Sequence, residues 1–289
     1  MKKGEPMDLI QVLDNRSSVR SYEKRKIDPL LLNKIITGAK STKPLYEDID
    51  LNFLLIENGH EASKKMAGYA GYFGKTIEGP HYIAAITENK EGCLENLGYR
   101  MEQLMVLAYQ EGLGTCWIEV LHQQHKAKEV LNIFDENKLL LALTPIGYSR
   151  IGISEKLVKN IIDGKSARNN LQEIVHWGEW NNKEQTVDNH PLACILERVR
   201  YAPSWANQQP WQFIIDDNTL ILSVTKEKRD GLNRSRIDGG IIMFYVEAMA
   251  HQKEMDGKWS ASVKGLEKKY RIPESYEVLS IFSMNGAFK

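Results

Sequence analysis

The run NLGYRMEQLMVLAYQ, from Asn96 to Gln110, places Leu97, Met101, Leu104, Met105 and Ala108 at helical spacing. That pattern predicts a central helix with a broad apolar stripe, which Gly112-Leu113-Gly114 stops. A second run, DGGIIMFYVEAMAHQ from Asp238 to Gln252, has the same character. A shift of 142 residues lays one on the other, matching Gly98 with Gly240, Met101 with Met243, Ala108 with Ala250, Gln110 with Gln252, and Trp117 with Trp259. A shift of 160 matches Phe53 with Phe213 and Ile35 with Ile195. Two such helices in one chain predict an architecture built twice.

The flanking segments agree. Met7 to Leu13 reads as a short helix, Asp28-Pro29 opens another, and Ala62 to Tyr72 a third, loosened by Gly68, Gly71 and Gly74. Leu51 to Ile56 and His81 to Thr87 read as strands. Leu139 to Tyr148 reads as a third, and Pro145 makes it an edge or bulged strand. The polar stretch GEWNNKEQTVDN, from Gly178 to Asn189, lacks periodicity. After it the order restarts: a helix over Leu192 to Tyr201, strands over Trp211 to Asp216 and Leu220 to Val224, the second apolar helix, and a strand over Val278 to Ser283. The expected organisation is a first half over 1–177, a linker over 178–190 and a shorter second half over 191–289.

The chain has 289 residues, with 38 Lys and Arg against 38 Asp and Glu, so its formal net charge is zero. That balance argues against nucleic acid or an anionic membrane as the main partner. Cys93, Cys116 and Cys194 form no CxxC pair and fit a reducing compartment. No apolar run is long enough to span a membrane, and no signal peptide stands at the start, so the cytoplasm is the expected location.

Three segments carry chemistry. Arg16-Ser17-Ser18-Val19-Arg20 offers two guanidiniums and two hydroxyls, suited to a phosphate or simply to a solvated basic loop. Pro203-Ser204-Trp205-Ala206-Asn207-Gln208-Gln209-Pro210-Trp211 could pack on a planar ring and bond its edge, or form a rigid turn. In Glu111 to Glu119, glycines either let backbone approach a ligand or cap the helix. No dinucleotide fingerprint, Walker A loop, nucleophile elbow or carboxylate pair is present. His122 and His125 read as a solvated helix face rather than a metal site, and no metal is expected.

In order and spacing, these segments resemble motifs of the nitroreductase family of flavin enzymes: RRSVRxF at Arg16 to Tyr22, GLGTxWI at Gly112 to Ile118, and APSxxNxQPWxF at Ala202 to Phe213. The stretch from Lys165 to His176 is similar to the basic segment ending that family's catalytic domain. Where the family carries APSxxNxQPW soon after its first motif, this chain has Ala39 to Asp48, an eroded sequence. The intact copy stands in the second half. The chain thus resembles the double-length, single-chain branch of the family, the TM1586 type, with both halves of a homodimer fused.

The resemblance implies an α+β nitroreductase-like sandwich, mainly antiparallel with flanking helices, in two half-repeats. It implies one FMN per chain and a monomer acting as a pseudodimer. Arg16, Ser17, Ser18 and Arg20 would serve the phosphate, ribityl and pyrimidine side, and Lys165 and Arg168 the phosphate. Lys75 would lie near the pyrimidine, Ile118 and Glu119 near flavin N5, and Pro203, Ser204, Trp205 and Asn207 over the ring. Hydride would pass from NAD(P)H through the flavin to a nitro compound, quinone or similar acceptor, with no catalytic side chain required. Two alternatives are a flavin-storage or sensing protein with little turnover and a specialised flavin enzyme on the same fold.

Overall fold

A computed structural model of the chain describes residues 9–71, 74–120, 124–150, 168–183, 190–229, 231–261 and 263–284. The chain forms two compact units, Met1–Asp163 and Gly164–Lys289.

In the first unit, helix α1 covers Leu9–Asn15 and α2 covers Pro29–Lys40. Asp28 caps α2 by accepting from Leu30 N–H and Leu31 N–H, and Pro29 fills a position that needs no donor. Strand β1 (Leu51–Ile56), helix α3 (Gly59–Lys65) and strand β2 (His81–Glu88) follow. The central helix α4 runs over Cys93–Gln110. Two short strands, β3 (Gly114–Thr115) and β4 (Ile118–Glu119), helix α5 (Gln124–Val130) and strand β5 (Lys138–Gly147) complete the described elements. All strand pairs are antiparallel, in the order β1-β2-β5, with β3 and β4 both on the far side of β5. Consecutive residues of β2 are buried, which demands cover on both faces of the sheet.

Strand β5 is therefore interior, not an edge. The bulge expected of it is present, opposite Ala85 and Ile86. Pro145 is tolerated because its missing donor falls in the gap between β3 and β4, where Cys116 N–H instead donates to Thr144 Oγ1 at 3.1 Å.

The second unit begins with α6 (Leu171–Ile174) and strand β6 (Val175–Trp177). It continues with α7 (Pro191–Val199), a 3-10 turn at Trp205–Asn207, and strands β7 (Trp211–Asp216) and β8 (Thr219–Thr225). The hairpin β9 (Lys228–Arg229) and β10 (Leu232–Asn233) leads into α8 (Ser235–Gln252). Then come β11 (Gly257–Ser260), α9 (Leu266–Lys269) and β12 (Tyr276–Met284). The sheet order is β6-β7-β8-β12-β11, antiparallel except for the parallel pair β6–β7.

The boundary expected at 177 falls instead at 163/164. Val175–Trp177 pairs with Phe213–Ile215, so this segment belongs to the second sheet. Gly178 N–H donates to Ile215 O at 2.8 Å, and Trp180 N–H to Tyr270 O at 2.9 Å. The start of the polar stretch is thus packed structure rather than linker, while residues 184–189 lie outside the described residues.

The two units repeat one plan. The strand sequence β1-β2-β5-β3 of one corresponds to β7-β8-β12-β11 of the other, and α4 and α8 each hold 18 residues. The correspondence reaches single hydrogen bonds. Leu45 N–H donates to Asn96 Oδ1 on α4 at 2.9 Å, and Trp205 N–H donates to Asp238 Oδ1 on α8 at 3.1 Å. These pairs are related by the shifts of 160 and 142 that align the sequence halves.

Candidate functional site

In the first unit, the Arg16–Arg20 segment lies along β3. Val19 N–H donates to Thr115 O at 2.9 Å. Gly114 is needed at this crossing, because a Cβ there would sit 2.6 Å from Val19 Cγ2. Burial pushes the Cys116 thiol up, opposed by Arg20, by a hydrogen bond with Ser18 and by Arg16. The first and third motifs, about a hundred residues apart in sequence, are thus one structural cluster. Arg16 is buried, Ser17 and Ser18 are half-buried, and Arg20 is exposed.

A residue outside the motifs organises this cluster. Glu102, on α4 and fully buried, accepts from Arg16 Nη2 through Oε1 and from Trp117 Nε1 through Oε2, the latter at 2.8 Å. Both partners are donors, and the two carboxyl oxygens accept one bond each. The available sequence signal was an acid beside Met101 in the most apolar helix of the first half.

Ile118 is 1% exposed and Glu119 half-buried on β4. The turn bearing Lys75 meets β4 through Gly71 N–H, which donates to Glu119 O at 2.9 Å. Gly71 has φ +100 and the Lys75 carbonyl occupies the place of its missing Cβ, so only glycine fits. Lys75 itself is exposed.

In the second unit, Arg168 and the 203–209 loop come together. Arg168 Nη2 donates to Tyr201 O at 3.1 Å, while its Nε and Nη1 are buried without a hydrogen-bond partner among the described residues. Burial lowers its pKa to about 10, with Tyr201 opposing the shift and Arg200 adding to it. Lys165 lies outside the described residues. Trp205 is 39% exposed and its N–H is shared between both oxygens of Asp238, at 3.1 and 3.3 Å. Ser204 Oγ accepts from Gln209 N–H at 2.9 Å, and Asn207 O accepts from Gln209 Nε2 at 3.1 Å. Pro203 is half-buried and the Asn207 side chain exposed.

The unmet Arg168 donors are the test of fit for a phosphate. A buried donor without a partner costs roughly 1–3 kcal/mol, which a bound anion would remove. The residues present suit FMN: a guanidinium awaiting an anion, beside a loop that exposes a tryptophan and an amide. Among the described residues no group of His, Cys, Asp and Glu could hold a metal ion. No described helix is long and apolar enough to cross a membrane.

The family model described as "Putative TM nitroreductase" matches residues 8–250. A Thermotoga maritima protein, tm1586, whose crystal structure is described as that of a putative nitroreductase, matches with a TM-score of 0.59 at 16% identity, covering 98% of this chain and 96% of that one. A nitroreductase family protein from Clostridium novyi NT is 26% identical over 52% of this chain and 92% of its own, with a TM-score of 0.43. A "Putative NADH dehydrogenase/NAD(P)H nitroreductase" of Methanothermobacter thermautotrophicus is 20% identical over 50% of this chain and 80% of its own.

Proposed function

We propose, because the chain belongs to the TM1586-type nitroreductase family, that it is an FMN-dependent oxidoreductase reducing small aromatic acceptors such as nitro compounds or quinones with NAD(P)H. The observation that carries this reading is the half-buried Arg168, whose buried Nε and Nη1 have no hydrogen-bond partner among the described residues, in the same cluster as the exposed Trp205 and Asn207.

The proposed holders of FMN are Arg168 and Lys165 for the phosphate, Arg16, Ser17, Ser18, Arg20 and Lys75 for the ribityl and pyrimidine side, and Pro203, Ser204, Trp205 and Asn207 for the ring. Ile118 and Glu119 would supply backbone beside N5. When bound, FMN would supply the hydride-transfer chemistry that links NAD(P)H to the acceptor in the proposed ping-pong reaction. The chain's part is to bind and orient. Its cationic side chains favour anionic charge on the pyrimidine, and the Trp205 face gives a planar group something to stack on. Glu102 already holds Arg16, so Arg168 and Lys165 are the proposed sources of charge for the phosphate.

The test is the visible spectrum of the purified chain, with flavin quantified after denaturation, followed by NAD(P)H oxidation with a nitro or quinone acceptor. One FMN per chain and acceptor-dependent turnover support the proposal. Retained flavin without turnover points to storage or sensing. No flavin, even after FMN is added, refutes both.

A further inference from the structure

The loop from Ser204 to Gln209 bends at three non-glycine residues with left-handed backbone: Ala206 (φ 47), Asn207 (φ 59) and Gln209 (φ 50). Each such residue is disfavoured, and the conformation persists only where its surroundings over-determine it. One side chain does most of the holding. Gln209 is 6% exposed. Its Nε2 donates to Asn207 O at 3.1 Å, and its own N–H donates to Ser204 Oγ at 2.9 Å. Its Oε1 accepts from Asn169 N–H at 2.9 Å, across 40 positions of sequence. The Asn169 carbonyl is held in turn by Arg200 Nη1 at 3.3 Å. Asn169 directly follows Arg168, whose guanidinium grips Tyr201 O at the start of the same loop.

We infer that Gln209 is a positioning residue that sets the buried Arg168 guanidinium at a fixed distance from the loop carrying Pro203, Ser204, Trp205 and Asn207. It thereby couples the phosphate seat of the flavin to its ring seat. This rests on the FMN reading above. A ligand with a phosphate at one end and a ring at the other gains from both seats only if their separation is held before it arrives. Glutamine suits the task because its amide accepts from one segment and donates to the other. Neither a carboxylate nor an aliphatic side chain does both.

Riboflavin, which lacks the phosphate, reads the ring seat alone. The experiment measures dissociation constants of FMN and riboflavin by flavin fluorescence for the full chain, Gln209→Ala and Gln209→Glu, with the melting temperature of each. Wild type is expected to prefer FMN. Gln209→Ala should weaken FMN about tenfold more than riboflavin, the scale of one buried hydrogen bond. Gln209→Glu still accepts from Asn169 but sets a carboxylate against the Asn207 carbonyl. It should weaken both flavins while keeping most of the FMN preference. A purely structural role moves both flavins equally in both variants, and that result overturns the inference while leaving the FMN reading intact. Should Gln209→Ala fail to fold, loss of the FMN preference in Gln209→Glu overturns it. Wild type that binds flavin with no preference for FMN overturns it as well. Wild type that binds neither flavin overturns the FMN reading and this inference with it.

Discussion

Removing Arg16 is the obvious test of the first motif, and the structure shows why it is ambiguous alone. The Arg16 side chain is 6% exposed and that of Glu102 is 0% exposed. Arg16→Ala leaves a fully buried carboxylate without its guanidinium, and breaking a buried pair from one side costs about 3–5 kcal/mol. Against a total stability of about 5–15 kcal/mol, that is a large fraction. Glu102→Leu should cost a similar amount, since it removes the acceptor that Arg16 Nη2 and the Trp117 indole N–H share. Replacing both charges, as Arg16→Met with Glu102→Leu, removes the mismatch. Such apolar replacements are often neutral or stabilising by about 1–4 kcal/mol, less about 1 kcal/mol here for the indole N–H, which is partly open to water. The double variant should therefore be more stable than either single one, with a coupling energy of at least about 2 kcal/mol. The assay is urea unfolding followed by circular dichroism, comparing midpoints at constant slope. Additivity within about 0.5 kcal/mol would refute the reasoning. FMN titration of the same variants separates the roles. If Arg16 also serves the flavin, Arg16→Ala loses about 1.5–3 kcal/mol of FMN affinity and the double variant recovers folding but not flavin. Recovery of both would leave Arg16 a purely internal residue.

Asn207→Gly keeps the left-handed backbone and removes the side-chain amide, so FMN should weaken by about 1 kcal/mol. Equal FMN affinity would remove this side chain from the site. Gly114→Ala drives a methyl into Val19; overpacking predicts a loss of about 1–3 kcal/mol in thermal unfolding together with weaker flavin retention. His176 accepts from Asn181 N–H at 2.9 Å and contacts Gln212 Oε1 at 2.9 Å through its other nitrogen. Burial lowers its pKa to about 4, with the Gln212 hydrogen bond opposing and Lys183 adding to the shift. The unfolded chain takes up this proton first, near pH 6.5. The contribution is therefore complete above pH 6.5 and falls away as pH drops toward 4, by up to about 3 kcal/mol. His176→Gln should flatten that part of the stability–pH curve, and an unchanged slope would refute the assignment. Analytical ultracentrifugation of the flavin-loaded chain should find a monomer with one FMN.

The elements were legible to different degrees. Leu51–Ile56 and Trp211–Asp216 appear as read, because a compact apolar run of strand length has few other solutions. The two central helices were clear from their spacing, though each starts three residues before the periodic run. Of the two readings of β5, edge or bulged, the bulged one is present, because a proline reports a missing donor and not where that donor would point. The domain boundary failed because the parallel pairing of β6 with β7 joins segments 38 residues apart in register, which no local pattern announces. Motif residues, Gln209 among them, are legible as residue types, but the bridging role of Gln209 and the roles of Glu102 and Asp238 are not. Each works by satisfying backbone or side-chain donors that only the folded chain brings within reach.

Sequence alone determined the architecture class and the repeat, since helical and strand periodicities are local and two copies reinforce each other. It also determined the family, because each motif keeps its internal residues and spacing even though Ala202 to Phe213 stands in the second half. Tertiary structure decided which of those residues are already occupied. Arg16 is held by a buried carboxylate 86 positions away, while Arg168 has two buried nitrogens without a partner among the described residues. A guanidinium is cationic wherever it stands in a chain. Whether it waits for an anion depends on what else has folded against it.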